Sequence, residues 1–259
     1  MKTFFQTIGA AFGMFSRLPV SRHVWDKKNM RYMFIAFPVV GLVIGILWFC
    51  WLLFGSWLGI PQLLLCVGFV AIPLLISGGI HMDGYADVSD ALASYASPEK
   101  KRAIMNDPHV GSFAVIRIAI YLISYVALYE AVSLADRAGY IIALSFIFSR
   151  CLSGISAANF PLAKNTGLAN TFQHMSDKRT VTIWLSLFAL ITAGLMIGLN
   201  VGGGISMVVA AMLVFYHYYR MSMNKFGGVT GDLSGWFLQK AEWWMLAALV
   251  AYQLISTKL

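Results

Sequence analysis

Asp83, Asp87 and Asp90 stand at i, i+4 and i+7 in the run Gly-Gly-Ile-His-Met-Asp-Gly-Tyr-Ala-Asp-Val-Ser-Asp, directly after a long apolar stretch. On a helix these positions fall within about 60° of arc, so the three carboxylates share one face. At roughly 6 Å and an effective dielectric of about 20, each ionised pair repels by about 3 kcal/mol. Such a face requires a positive partner. Hard divalent cations bind oxygen clusters of this kind, and Mg2+ commonly bridges one or two carboxylates to a substrate phosphate. The pattern therefore points to metal-assisted phosphoryl chemistry beside a bilayer. Scarcity adds weight: the chain has eleven acidic residues, and three lie within eight positions. Ionisable groups at membrane depth cost about 3 kcal/mol each and are functional candidates by default. Gly84 removes a side chain beside the first aspartate and lets a substrate or a backbone approach. His81 falls on the opposite helical face from Asp83 and reads as a surface or interface histidine.

A second constellation is Phe226-Gly-Gly-Val-Thr-Gly-Asp232-Leu-Ser-Gly235, followed by Glu242. Its glycines let backbone N–H groups between Gly228 and Gly231 approach phosphate oxygens, Thr230 adds a donor, and Asp232 offers a fourth metal ligand. A glycine-rich turn between two spans has the same composition. A third is Asn106-Asp-Pro-His-Val-Gly-Ser-Phe113, in which Asp107 precedes proline and favours an extended or turn conformation. Asp107 and His109 are candidate substrate contacts; the plainer alternative is a loop with a helix cap. The fourth group is basic. Arg150 falls well inside an apolar segment and needs a partner, either an acid such as Glu130 or a substrate phosphate. Arg117 lies near the start of another span, and Lys164 follows Pro161 in a loop. There is no Gly-x-Ser-x-Gly elbow, no Cys–His pair outside the apolar blocks and no Gly-Lys-Ser/Thr phosphate loop.

The elements that carry these residues are membrane helices. The chain of 259 residues is 59% hydrophobic and 12% charged, against about 25% charged in a soluble domain. Apolar blocks at about 33–57, 62–80, 112–131, 139–158, 181–199, 204–220 and 241–256 predict an all-α polytopic integral membrane bundle of about seven spans. Residues 1–259 form a single membrane-embedded domain. Phe4, Phe5, Ile8, Phe12 and Phe15 recur at helical spacing and predict an interfacial helix ahead of the first span. Cys50, Cys66 and Cys151 lie in apolar segments and fit no zinc spacing. The net charge of +8 fits positive-inside topology and anionic lipid. Its scatter among loops argues against nucleic-acid binding. With seven spans, fifteen of the nineteen Lys and Arg residues fall on one side, which assigns that side to the cytoplasm and places all the polar constellations there.

Taken together, the motifs resemble cobalamin synthase, the membrane-bound adenosylcobinamide-GDP ribazoletransferase family of cobamide biosynthesis. The resemblance runs over nearly the whole chain: Phe15-Ser-Arg17-Leu-Pro-Val20, Phe37-Pro-Val-Val-Gly41 with Gly45, and Gly79 to Asp90. It continues through Asp107-Pro-His109-Val-Gly111, then Arg150, Pro161, Ala163 and Gly167-Leu168, then Gly228-Val-Thr-Gly-Asp232 with Gly235 and Glu242. The chain departs from the pattern at His109 and Lys164, where arginine is expected or common, and at Ser234, which replaces an apolar residue. Lys and His lack the guanidinium fork that grips phosphate.

The resemblance implies a reaction in a bacterial inner (cytoplasmic) membrane, on the cytoplasmic side. α-Ribazole, or its 5′-phosphate, attacks the phosphate joining cobinamide to GMP; GMP leaves, and adenosylcobalamin or its 5′-phosphate forms with Mg2+ required. On that reading Asp83, Asp87, Asp90 and Asp232 hold metal or do acid–base work. Gly84, Asp107, His109, Arg150, Lys164, Gly228, Thr230, Gly231, Glu242 and Arg17 contact substrate. A homo-oligomer is compatible with the chain. Two rival readings are a CDP-alcohol phosphotransferase and a cation-coupled secondary transporter. The first has a pattern beginning Asp-x-x-Asp-Gly-x-x-Ala-Arg, which fails here at Ile80 and at Asp87. The second usually shows internal repeats and ligands near the midplane, and neither is evident in this chain.

Overall fold

The computed structural model describes residues 2–20, 30–164 and 168–258. Helix α1 is Lys2–Phe15, α2 Met33–Leu58, α3 Gln62–Ser77, α4 Ile80–Ala93, α5 Pro98–Met105 and α6 Ser112–Ala131. After these come α7 Ala138–Asn159, α8 Leu168–Met175, α9 Lys178–Leu199, α10 Val201–Met221 with a π-helical turn Ser222–Phe226, and α11 Gly231–Ser256. The all-α expectation holds among the described residues, where the only β-type pairing is an isolated parallel bridge between Leu162 and Val229.

Five helices, α2, α6, α7, α9 and α10 with its π turn, are long and apolar enough to cross a membrane. The α3–α4 pair makes a sixth if its two bent halves count as one span. The count therefore differs from the seven expected, for two reasons. The block at 62–80 is not one straight helix. Helix α3 has 16 residues, about 24 Å at 1.5 Å per residue, which is short of a core of about 30 Å. At Gly78 and Gly79, with φ of +65° and +80°, the chain turns by 95° into α4. Two successive left-handed residues are a conformation that only glycine adopts without steric cost. The block at 241–256 is the second half of α11, which begins ten residues earlier and carries Asp232, Lys240 and Glu242. Those polar groups, set inside a helix, lower its apolar character.

The chain reverses at two ends of the bundle. At one end Arg17 N–H donates to the Ile76 carbonyl (2.9 Å), and Arg31 pairs with Asp177 (2.9 Å). Arg102 Nη1 donates to the Phe226 carbonyl there (2.6 Å), and Val229 N–H to that of Pro161 (2.8 Å). At the other end Asn200 Nδ2 donates to the Asp136 carbonyl (3.0 Å), and Gln253 exchanges two bonds with Ser133 (2.8 and 3.0 Å). The three aspartates, the glycine-rich segment and most of the basic loop residues thus share the first end. Helix α1 does not stand apart from the bundle: Ala10 and Ala11 are fully buried, and the Phe15 ring stacks on Phe37 of α2 at 4.0 Å.

Small residues set the closest helix contacts. Gly41 and Gly45 bring α2 against α7: a Cβ at Gly41 would lie 2.3 Å from the Phe146 carbonyl oxygen. Gly84 does the same for α4 and α11, where a Cβ would lie 2.6 Å from the Asp232 carbonyl oxygen, and Gly235 returns the contact with a Cβ position 3.1 Å from His81 Cα. Neither backbone has a flexible atom to move aside. Gly84→Ala is expected to force α4 and α11 apart and to destabilise the protein by about 1–3 kcal/mol, the usual cost of overpacking. A lowered thermal-unfolding midpoint in detergent would show it.

Candidate active site

A cavity of about 480 Å3 opens at the end of the bundle where the acidic segments meet. Asp83 of α4 and Asp232 of α11 reach it from different helices, with Thr230, Gly231, Lys164 and Arg102 beside them. Its deeper wall is mostly apolar and includes Phe15 of α1, Phe34 and Phe37 of α2 and Leu238 of α11. The sequence periodicity of α4 places Asp83 and Asp87 one turn apart. Asp87 is half-buried behind Asp83, outside the cavity lining, where the charges of Asp83, Asp232 and Asp90 all bear on it. Among the described residues neither Asp83 nor Asp87 has a hydrogen-bond or ion-pair partner on its carboxylate. The charges of Asp83 and Lys164 both act on Asp232.

Asp90 shares the helical face but not the site. Its Oδ2 accepts from Gly111 N–H (2.7 Å) and its Oδ1 from Ala114 N–H (2.9 Å). Gly111 is the N-cap of α6 and has no side chain to satisfy the first free N–H groups. Asp90 supplies the cap from a neighbouring helix, with both carboxylate oxygens engaged at the start of α6. A Cβ on Gly111 would lie 2.5 Å from Asp90 Oδ2, so the glycine is what admits the carboxylate.

The basic residues separate in the same way. Arg150 is 1% exposed and lies on α7, where its Nη1 pairs with Glu242 Oε1 of α11. The same nitrogen donates to the Phe146 carbonyl (2.9 Å) and contacts Ser149 Oγ (3.0 Å), whose hydroxyl donates to Glu242 (3.1 Å). The pair lies inside the bundle through Arg150 Nη1 and Glu242 Oε1, while Arg150 Nε is buried without a partner. Neither residue is part of the cavity lining, and the acid that answers Arg150 is Glu242 rather than Glu130. Glu130 instead meets the Cys66 thiol at 3.4 Å.

The glycine-rich segment is largely occupied by its own fold. Gly228 N–H donates to the Ser222 carbonyl (3.0 Å) and Val229 N–H to that of Pro161, while Gly228 Cα packs on the Leu162–Ala163 backbone. Thr230 is the N-cap of α11, with its Oγ1 accepting from Leu233 N–H (3.2 Å). Gly231, exposed with open space around it, is the one glycine of the run that keeps room for a ligand. Gly228 is thus held by neighbouring backbone, and of the two approaches expected at Gly84 the structure shows the backbone one, since the Asp232 main chain fills the space beside it. Asp107 and His109 form an exposed turn outside the cavity: Asp107 Oδ1 accepts from His109 N–H (2.9 Å) and meets its Nδ1 (2.8 Å). The His109 backbone N–H holds the Asp107 carboxyl below the usual carboxylate range. Arg17 is exposed and sets its Cβ against Gly78 at the α3–α4 turn, again outside the cavity. Gly167 lies outside the described residues.

The sequence profile of the cobalamin-5-phosphate synthase family matches residues 7–250. This chain belongs to that family. An adenosylcobinamide-GDP ribazoletransferase of Lachnoclostridium phytofermentans is 40% identical over 235 residues, covering 90% of this chain and 88% of that protein. Proteins of the same name from Geobacillus kaustophilus (30% identical, 90% of each chain) and Clostridium perfringens (28% identical, 93% of this chain and 96% of that protein) are similar over their length. No solved structure matches.

For a member of this family, the fit of a metal turns on the donor set. Among the described residues no three His, Cys, Asp or Glu side chains converge closely enough to hold an ion by themselves. The set present is the hard oxygens of Asp83 and Asp232 at the cavity, with Asp87 behind. It suits Mg2+ held by one or two carboxylates and completed by substrate phosphate and water, the usual manner of that ion. It does not suit an all-protein cage.

Arg102 of α5 and Asn106, which ends that helix, line the cavity, and Arg102 was not singled out by the sequence. Nothing in the spacing distinguishes Arg102 from its neighbours Lys100 and Lys101. Lys101 turns inward to donate to the Ala91 carbonyl (2.9 Å) and to that of Ser94 at the end of α4. Burial and the nearby Lys225 charge push its ammonium pKa down.

Two outcomes follow from this geometry. Asp90→Ala is expected to destabilise the protein by about 1 kcal/mol through loss of the α6 cap, seen as a lower unfolding midpoint. Arg150→Met alone is expected to cost about 3–5 kcal/mol because it strands Glu242, whereas Arg150→Met with Glu242→Leu recovers most of the loss. Thermal unfolding of both variants and the parent in one detergent checks the difference.

Proposed function

We propose that this chain is an adenosylcobinamide-GDP ribazoletransferase. A ribose hydroxyl of α-ribazole other than the 5′ position, so that a 5′-phosphate is carried unchanged into the product, attacks the phosphorus that carries cobinamide. The bond from that phosphorus to the bridging oxygen breaks, and GMP departs with that oxygen. The observation that carries the reading is the convergence of Asp83 and Asp232 from two helices on one cavity, with Lys164 and Arg102 at its edge. Carboxylates and cations around one opening suit a diphosphate handled through a divalent ion. The names of the relatives supply the substrates.

When bound, Mg2+ offsets charge on the diphosphate and stabilises the departing GMP. Asp83 and Asp232 are the residues that would hold it, and one of the two carboxylates would accept the proton of the attacking hydroxyl. Asp87 keeps the local charge negative behind them. Lys164 and Arg102 hold phosphate oxygens, Arg102 while anchored to the Phe226 carbonyl. The exposed N-terminus of α11 at Gly231 favours an anionic group. A cavity of about 480 Å3 takes one ligand of drug-like size, so the corrin ring with its amide arms stays at the mouth, beside α1. The concentration of Lys and Arg at this end supports a cytoplasmic active site in the bacterial inner membrane.

In proteoliposomes supplied with adenosylcobinamide-GDP and α-ribazole, GMP release is expected to require Mg2+. Asp83→Asn and Asp232→Asn are each expected to lower it by about a hundredfold or more, and Asp87→Asn by about tenfold, as for a group behind the ligands. Unchanged GMP release in both Asp83→Asn and Asp232→Asn would overturn the assignment. Release of CMP from a CDP-alcohol, with no GMP from the cobinamide donor, would overturn the reaction.

A further inference from the structure

A second cavity, of about 690 Å3, lies on the other side of the same helix pair, between α4, α6, α10 and α11. Helix periodicity separates Asp83 of α4, which faces the first cavity, from Tyr85, Ser89 and Leu92, which line the second; His81, on the Tyr85 side of the helix, reaches the first cavity from the start of α4. On α11 the residues at 232, 235 and 238 face the first, whereas Trp236, Lys240 and Trp244, one turn apart, line the second.

The second cavity holds two cations and no acid. Arg117 of α6 and Lys240 of α11 both line it, both are half-buried, and the charge of Arg117 acts on Lys240 and on Tyr85. Among the described residues neither cation forms an ion pair or a hydrogen bond. Lys240 rests 5.5 Å from the centre of the Tyr85 ring, a contact that offsets only part of the cost of a desolvated ammonium. Two facing cations within membrane helices require an anion, by the same reasoning that applies to clustered aspartates. Apart from Tyr85, Ser89 and His217 the rest of the lining is apolar or aromatic, and its outer part is exposed: Ile120 is 62% and Leu213 65% accessible. An anion bound here must bring an apolar body with it.

We propose that this crevice is a binding site for an anionic phospholipid, its phosphate between Arg117 and Lys240 and an acyl chain along Ile120, Leu213 and Val214. Free phosphate matches the cations but leaves the apolar wall uncovered; a zwitterionic lipid matches the wall but brings its own cation to the phosphate. A lipid seated here braces α4 and α11 from behind, against the face that carries Asp83 and Asp232.

The test is native mass spectrometry of the full chain, delipidated in detergent and titrated with phosphatidylglycerol or phosphatidylcholine. It reads binding alone and so is independent of the transferase reaction. One saturable phosphatidylglycerol adduct is expected, held at least about fivefold more tightly than phosphatidylcholine, with a loss of about fivefold for each of Arg117→Gln and Lys240→Gln. The charge-preserving Arg117→Lys should retain most of the preference, which separates lost charge from lost fold. Equal retention of the two lipids by the parent protein overturns the proposal without any variant. Undiminished phosphatidylglycerol binding by the double glutamine variant overturns it too. Displacement of the lipid by inorganic phosphate at matched concentration would instead mark a phosphate subsite and equally overturns it.

Discussion

Two helices that both carry aspartate ought to repel, and at the α4–α11 crossing they touch backbone to backbone. The contact exists because Gly84 and Gly235 present no side chain there. Close approach of the main chains gives dispersion and packing that loose lipid cannot replace, and small residues are the general means of obtaining it between membrane helices. That one contact fixes the separation of Asp83 and Asp232, and it divides the bundle into an acidic cavity on one side and a cationic crevice on the other. The 95° turn at Gly78–Gly79 delivers α4 to the crossing; without it the aspartates would continue along α3.

Charge is segregated by depth and by helix face. The buried Arg150–Glu242 pair joins α7 to α11, with Ser149 and the Phe146 carbonyl as further partners at Arg150 Nη1 and Arg150 Nε buried without one. A pair so enclosed contributes little net stability relative to apolar packing, but it opposes any other register between those helices, because misalignment would leave a single charge in an apolar interior. Asp90 and Lys101 spend their charges on helix ends: one caps the start of α6, the other the end of α4. Among the described residues, Asp83 and Asp87 near one cavity and Arg117 with Lys240 in the other stand together without a hydrogen-bond or ion-pair partner. A folded chain that leaves like charges together is organised around ions it does not itself supply.

Much of the architecture was legible in the sequence because hydrophobic blocks and helical spacing report on a single helix at a time. The helices at 33–58, 112–131, 138–159 and 178–199 match their apolar blocks within a few residues, and the i, i+4 spacing of Asp83 and Asp87 describes one helix face correctly. The site was legible in outline: Asp83 and Asp232, with Thr230, Gly231 and Lys164, do meet at one cavity. Arg102 was not legible, because its value lies in a bond to the Phe226 carbonyl on a segment more than a hundred residues away. Nor was the beginning of α11, where polar residues interrupt the apolar run.

The amino-acid sequence by itself determined that this is an all-α membrane protein of the cobalamin-5-phosphate synthase family. It also determined which few acids and bases were available for chemistry, because composition, periodicity and motif order are properties of the chain. Tertiary structure alone decided how they were distributed. Asp83, Asp87 and Asp90 are alike in type and share one helix face, yet two keep free carboxylates while the third is bound at the start of α6. Arg150 and Lys164 are both cations from the same stretch of motif, yet one is sealed against Glu242 and the other reaches the cavity. The physical reason is that a carboxylate or a guanidinium takes its role from the partner that neutralises it, and that partner is brought close by packing between helices far apart in the chain.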